Sequence, residues 1–120
     1  MATNAKIKID ETTQVLDGQI TEPVVERRTD EKEIEVNEYI DRLIGVAKAD
    51  TDVEVNFGGL TTGKFLRVET NQPVMVKIDD TGSTARKVTS ILIWEGEFTA
   101  LYLSGDTVND AVVKILIGGE

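Results

Sequence analysis

Lys64-Phe65-Leu66-Arg67-Val68-Glu69-Thr70, then Asn71-Gln72-Pro73, then Val74-Met75-Val76-Lys77-Ile78: residues 64–78 decide the fold. In the first run Leu66 and Val68 alternate with Arg67 and Glu69, and in the second Val74, Val76 and Ile78 alternate with Met75 and Lys77. A side-chain period of two is that of a half-buried strand, apolar toward a core and polar toward water. Pro73 stands at the start of its run, where a missing amide donor costs little. Outward from this pair the pattern recurs at Val53–Phe57, Ser90–Trp94, Phe98–Ser104 and Ala111–Ile117. Turn formers separate the runs: Gly58-Gly59, Asp79-Asp80-Thr81-Gly82-Ser83, Glu95-Gly96-Glu97 and Gly105-Asp106-Thr107. Six short strands with short gaps predict an all-β chain, a small antiparallel β-sandwich or barrel built of tight, meander-like hairpins. Trp94 and Phe98, flanking Glu95-Gly96-Glu97, are expected to meet as a cross-strand pair over a hairpin tip.

Residues 34–49, IEVNEYIDRLIGVAKA, are ambiguous. Val36, Ile40, Leu43, Ile44 and Ala47 fall on one helical face, while Ile34 with Val36, and Ile44 with Val46, keep strand alternation. Gly45 and the β-branched residues weaken a helix, so strand is the reading adopted here, with helix left open. Tyr39, in the polar part of this segment, is expected to be an exposed contact.

Upstream, residues 22–33 (EPVVERRTDEKE) hold only two large apolar side chains among dense mixed charge and read as a solvated connector or an exposed edge. Lys6-Ile7-Lys8-Ile9 alternates, and Asp17-Gly18 favours a tight turn. Residues 1–33 are therefore expected to form an extended N-terminal arm that pairs with its own domain or a neighbour, with residues 34–120 as the sandwich domain.

Composition narrows the chemistry. With 120 residues the chain is in the size range of one domain, and with no His and no Cys it lacks the commonest general base, a thiolate nucleophile and a disulfide. Thirteen basic against 22 acidic residues give a net charge of −9, which disfavours free nucleic acid and anionic membranes as partners. The acidity is concentrated in the first half, where 7 − 14 = −7, against 6 − 8 = −2 in residues 61–120. The N-terminal residues MATNAKIKIDETTQ carry no apolar run of signal-peptide type, and no stretch is apolar enough to span a bilayer, so a soluble chain is expected.

Candidate sites reduce to turns. Asp79-Asp80, Asp50/Asp52 and Glu95/Glu97 offer paired carboxylates, but turn-borne Asp ordinarily bonds nearby backbone. Neither residues 79–84 nor Asp106-Thr107-Val108-Asn109-Asp110 has the ligand spacing of a calcium loop. Gly58 to Lys64 superficially suggests a phosphate loop, but it lacks the first glycine and a Ser or Thr after Lys64, and it leads into a strand. Trp94, Tyr102, Phe98, Phe57 and Phe65 are read as core packing before a sugar-stacking platform. No catalytic, cofactor-binding or metal-binding residue is expected.

The run FGGLTTGKFLRVETNQPVMVKI (57–78) with SILIWEGEFTALYLSGDTVNDAVVKILIGG (90–119) resembles small bacteriophage virion proteins. The likeness is carried by Gly59-Leu60, Phe65-Leu66, Thr70-Asn71-Gln72-Pro73, Val74, Val76, Ile78, Leu101, Leu103, Val112, Val113 and Ile115. Such proteins are head decoration, head-fibre or tail-associated subunits. The resemblance implies a non-enzymatic virion protein that forms homo-oligomers and docks on the major capsid protein or another virion protein. The arm would then add a strand to a neighbouring subunit's sheet. The alternative is a carbohydrate- or receptor-binding β-module of a phage tail or fibre.

Overall fold

A computed structural model of the chain describes residues 5–15 and 25–120, with side chains for 6–9 and 33–120. The turn expected at Asp17-Gly18 lies outside the described residues, as do Glu22, Pro23 and Val24. Ten strands and no helix make up the described chain: β1 Ala5–Val15, β2 Val25–Val36, β3 Glu38–Val46, β4 Val53–Glu54, β5 Gly63–Thr70, β6 Val74–Ile78, β7 Arg86–Val88, β8 Ile91–Phe98, β9 Leu101–Gly105 and β10 Ala111–Gly119.

The chain is all-β, and its body is a sandwich of two four-stranded antiparallel sheets ordered β3-β10-β5-β8 and β4-β9-β6-β7. This order has a simple origin. From the β6/β7 hairpin outward, strands pair as β5 with β8, β4 with β9 and β3 with β10, alternating between sheets. A long double ribbon is thus rolled on itself until β10 meets β5 and β9 meets β6. That is the eight-stranded jelly roll, two Greek keys wound together.

Alternation assigns the faces. Leu66 and Val68 of β5 oppose Ile117 and Ile115 of β10 and turn inward, where they meet Val74 and Val76 of β6 and Leu101 and Leu103 of β9. All eight are buried within the one core cluster. Each such side chain contributes roughly 1.5–3 kcal/mol by leaving water, so a core of Val, Ile and Leu holds the sheets together without disulfides.

Between residues 34 and 49 the strand reading holds and the helical one falls: residues 34–36 end β2, β3 follows, and residues 47–49 leave the strand for a turn. Other expectations are corrected. Residues 25–33 are strand and not a connector, because β2 runs through residue 33 to Val36 and pairs with β1. Seven strands, not six, lie between Val53 and Gly119. The additional one, β7, is three residues long and starts with Arg86-Lys87, too short and charged for an alternating pattern. The first run is strand only at Val53–Glu54, because Asn56 Oδ1 accepts a bond from the Gly58 amide and turns the chain. Consecutive strands from β3 to β10 form a hairpin only at β6/β7; the others cross between sheets.

Glu95-Gly96-Glu97 is not a hairpin tip but the middle of β8, so Trp94 and Phe98 are same-strand neighbours. Their rings meet edge to face at 5.5 Å, and the indole reaches Phe98 by lying over Gly96, where a Cβ would stand 2.8 Å from it. Glycine inside a strand marks this close approach.

β1 and β2 form a separate two-stranded ribbon, paired from Ala5↔Val36 to Val15↔Val25 with a bulge between Ile9 and Glu11. The Cα radius of gyration is 16.0 Å, above the value of about 14 Å for a compact domain of this length.

Candidate interaction surface

The acidic turns are occupied by backbone. Asp80 Oδ1 accepts from the Gly82 amide at 2.5 Å, Asp79 Oδ1 from Thr99 at 2.8 Å, and Asp50 Oδ2 from Ala47 at 3.0 Å. Asp52 pairs with Lys77 at 3.1 Å. Glu95 and Glu97 alternate along the exposed face of β8. Among the described residues no three acidic side chains are grouped to hold a metal ion.

The glycine-bearing stretch that ends at Lys64 is a strand junction. The Thr61 and Thr62 amides donate to the Glu120 carbonyl, and Lys64 Nζ bonds Glu120 Oε1 at 2.6 Å. That bond raises the Lys64 pKa and lowers that of Glu120. Phe57 and Trp94 each pack edge to face on Phe98, which is fully buried, so these rings serve packing. The hollow beside them, about 370 Å³ and bordered by Glu54, Asn56, Phe57 and Thr99, is open and has one ring in its wall.

The outer face of the β3-β10-β5-β8 sheet differs from the rest of the surface. Register places Tyr39-Gly118-Phe65-Glu95 in one row across the four strands, then Asp41-Leu116-Arg67-Ile93, then Leu43-Lys114-Glu69-Ile91. Val112 lies beyond Lys114 on the same face. Tyr39, Leu43, Ile91, Ile93 and Val112 all stand here, exposed by 62, 68, 52, 36 and 46%, and the only other large exposed apolar side chain among the described residues is Val108. Tyr39 is thus exposed as its sequence context suggests.

The first two rows are partly covered by the base of the β1/β2 ribbon. Ile7 and Val36 reach over Gly118, where a Cβ would overlap the Ile7 Cδ1 methyl and stand 3.0 Å from Val36 Cγ1, so glycine lets the ribbon lie this close. Ile7, Lys8 and Ile9 border a hollow with Phe65, Arg67, Ile93 and Leu116. Phe65 and Val36, both 2% exposed, are buried here and not between the sheets. The third row is open, and a groove of about 570 Å³ runs between Val112 and Ile91 over Glu69 and Asn71. Glu69 bridges Arg67 at 3.1 Å and Lys114 at 3.6 Å. The Arg67 hydrogen bond and charge, with a smaller contribution from Lys114, hold the Glu69 carboxyl below its ordinary 4.5.

Sequence reasoning placed Ile91, Ile93 and Val112 in strand runs without assigning the face each occupies. The signal that separates them is apolar character in both strand phases, Ile91 and Ile93 against Leu92 and Trp94, or Phe65 against Leu66. A strand apolar on both faces is covered on both or seeks a cover. Compared with known proteins, the chain matches no family model, no curated protein and no solved structure.

Proposed function

We propose that the chain is a non-enzymatic structural subunit of a bacteriophage virion, which oligomerises and docks on the capsid as a decoration or head-associated protein. The observation that carries this reading is an anchored two-stranded arm on a jelly-roll body whose exposed apolar side chains gather on one sheet face. Such a body presents rigid surfaces, and an arm with strand partners only in itself is suited to reaching another subunit. The jelly roll occurs in capsid and lectin domains alike, so the fold also admits the carbohydrate- or receptor-binding reading. Against that alternative, Phe57 and Trp94 each pack edge to face against the buried Phe98, and Phe57 is the one ring in the wall of the open hollow.

The test is particle composition. Mass spectrometry of purified particles is expected to find the chain in many copies, and purified chain added to particles lacking it is expected to bind their shells. Deleting residues 1–32 is expected to leave a folded sandwich by circular dichroism while reducing shell occupancy. A chain absent from particles, or a strict monomer that binds glycans and not shells, overturns the reading.

A further inference from the structure

We infer that the open half of the β3-β10-β5-β8 outer face receives the distal part of the β1/β2 arm of a second copy of this chain. The inference rests on the assembly reading above and supplies its contact. Exposure of Leu43, Ile91, Ile93 and Val112 leaves on the order of 400 Å² of apolar surface there, within the range of the largest patch on a monomer.

Three observations identify the occupant. The first is continuity: the same face already seats Ile7 and Ile9 of the chain's own arm, so a ribbon on this sheet is a packing the sequence demonstrably makes. The second is dimension. Successive rows on one face are about 7 Å apart and a two-stranded ribbon has its strands about 4.8 Å apart, so the open end has room for one more ribbon beside the first. Beyond the bulge, the five rungs from Glu11↔Thr29 to Val15↔Val25 have no other strand partner. At about 3.4 Å each they extend about 17 Å, close to the width of about 19 Å of a four-stranded sheet.

The third is charge. Copies carrying −9 repel each other wherever acid predominates. Rungs 11–15 and 25–29 hold two acids, Glu11 and Glu26, and two bases, Arg27 and Arg28. The receiving face holds two of each, Asp41 and Glu69 with Arg67 and Lys114. Both partners are therefore neutral and of mixed sign. Each subunit acts once as arm and once as face, and the two contacts together approach the roughly 800 Å² per partner of a standard interface.

The chain has no cysteine, so full-length single-cysteine variants report the contact directly. Thr13→Cys mixed with Ile91→Cys under mild oxidation is expected to give a mixed disulfide dimer. In sedimentation velocity the wild-type chain is expected to associate, and the double variant Leu43→Lys/Ile91→Lys, altered only at exposed positions, to sediment as a monomer with an unchanged circular dichroism spectrum. A wild-type chain that stays monomeric at 100 μM overturns the inference. So do unchanged association of the double variant, or Ile91→Cys linking to itself in preference to Thr13→Cys, which would place face on face. Oligomers that form as described but fail to bind shells leave the inference standing and overturn the virion reading.

Discussion

Phe65 and Leu66 are adjacent in sequence and buried on opposite sides of one sheet, so truncating each to alanine separates two interfaces. Leu66 is fully buried between the sheets beside Ile117 and Trp94. Leu66→Ala is expected to cost about 3 kcal/mol, within the usual range of 2–5 for a packed leucine. Phe65 lies outside that core and is covered by the arm base. A buried Phe is worth up to about 3 kcal/mol, and where one side of the ring is already supplied by its own sheet, about 2 kcal/mol falls on arm docking. That lowers the ratio of docked to released arm roughly thirty-fold. Two probes distinguish the outcomes. Trp94, the only tryptophan, sits half-buried against Phe98 and reports the sandwich core, while amide exchange of β1 and β2 reports the arm. Leu66→Ala should lower the denaturant midpoint read by Trp94. Phe65→Ala should speed exchange at Ile7, Ile9 and Ile34 with a much smaller midpoint shift. If Phe65→Ala moves the Trp94 transition as far as Leu66→Ala does and leaves arm exchange unchanged, the assignment of Phe65 to a separate interface is refuted.

Gly118→Val should release the arm in the same way without removing any apolar group, because its side chain would occupy the space of the Ile7 and Val36 methyl groups; accelerated exchange over residues 5–9 and 33–36 checks this. Glu69 titrates below its ordinary 4.5 when folded, so its contribution to stability is present above that value and lost as pH falls through the folded one. The gap in melting temperature between wild type and Glu69→Gln should accordingly be wider at pH 7 than at pH 3, and small throughout, since the group is solvated. Glu95→Val/Glu97→Val should raise light scattering on storage, because it strips charge from an exposed edge strand; equal scattering would show that the edge is protected by other means.

The sheets were legible in the sequence because β5, β6, β9 and β10 each put one apolar phase into a shared core, and the period of two survives without knowledge of partners. The roll was not. Pairing of β3 with β10 joins residues more than sixty positions apart, and nothing local in Glu38–Val46 names its partner. Turn chemistry misled at Glu95-Gly96-Glu97, since glycine there makes room for an indole, a tertiary demand indistinguishable in sequence from a hairpin signal. The sequence marks residues 1–33 as polar, but the base of the β1/β2 ribbon was not legible in it, because Ile7 and Val36 are seated over Gly118, more than eighty residues away. The apolar face escaped notice for a related reason. Hydrophobic content marks burial only on average, and Leu43 or Val112 looks like core until the register shows which way the strand faces.

The edges of the two sheets explain why an arm on this protein is better placed on a face than on a rim. The β4-β9-β6-β7 sheet ends in strands of two and three residues, too short to template a further strand. The other sheet ends in long strands, and these are guarded by charge: Glu38, Asp41 and Arg42 on β3, Glu95 and Glu97 on β8. The outer face has no such guard at its open end. There Glu69 is already neutralised by Arg67 and Lys114, and its flanks are Leu43, Val112 and Ile91. An acidic chain that associates as inferred above would find there a surface on which copies meet without repulsion, and its own arm already rests on half of it.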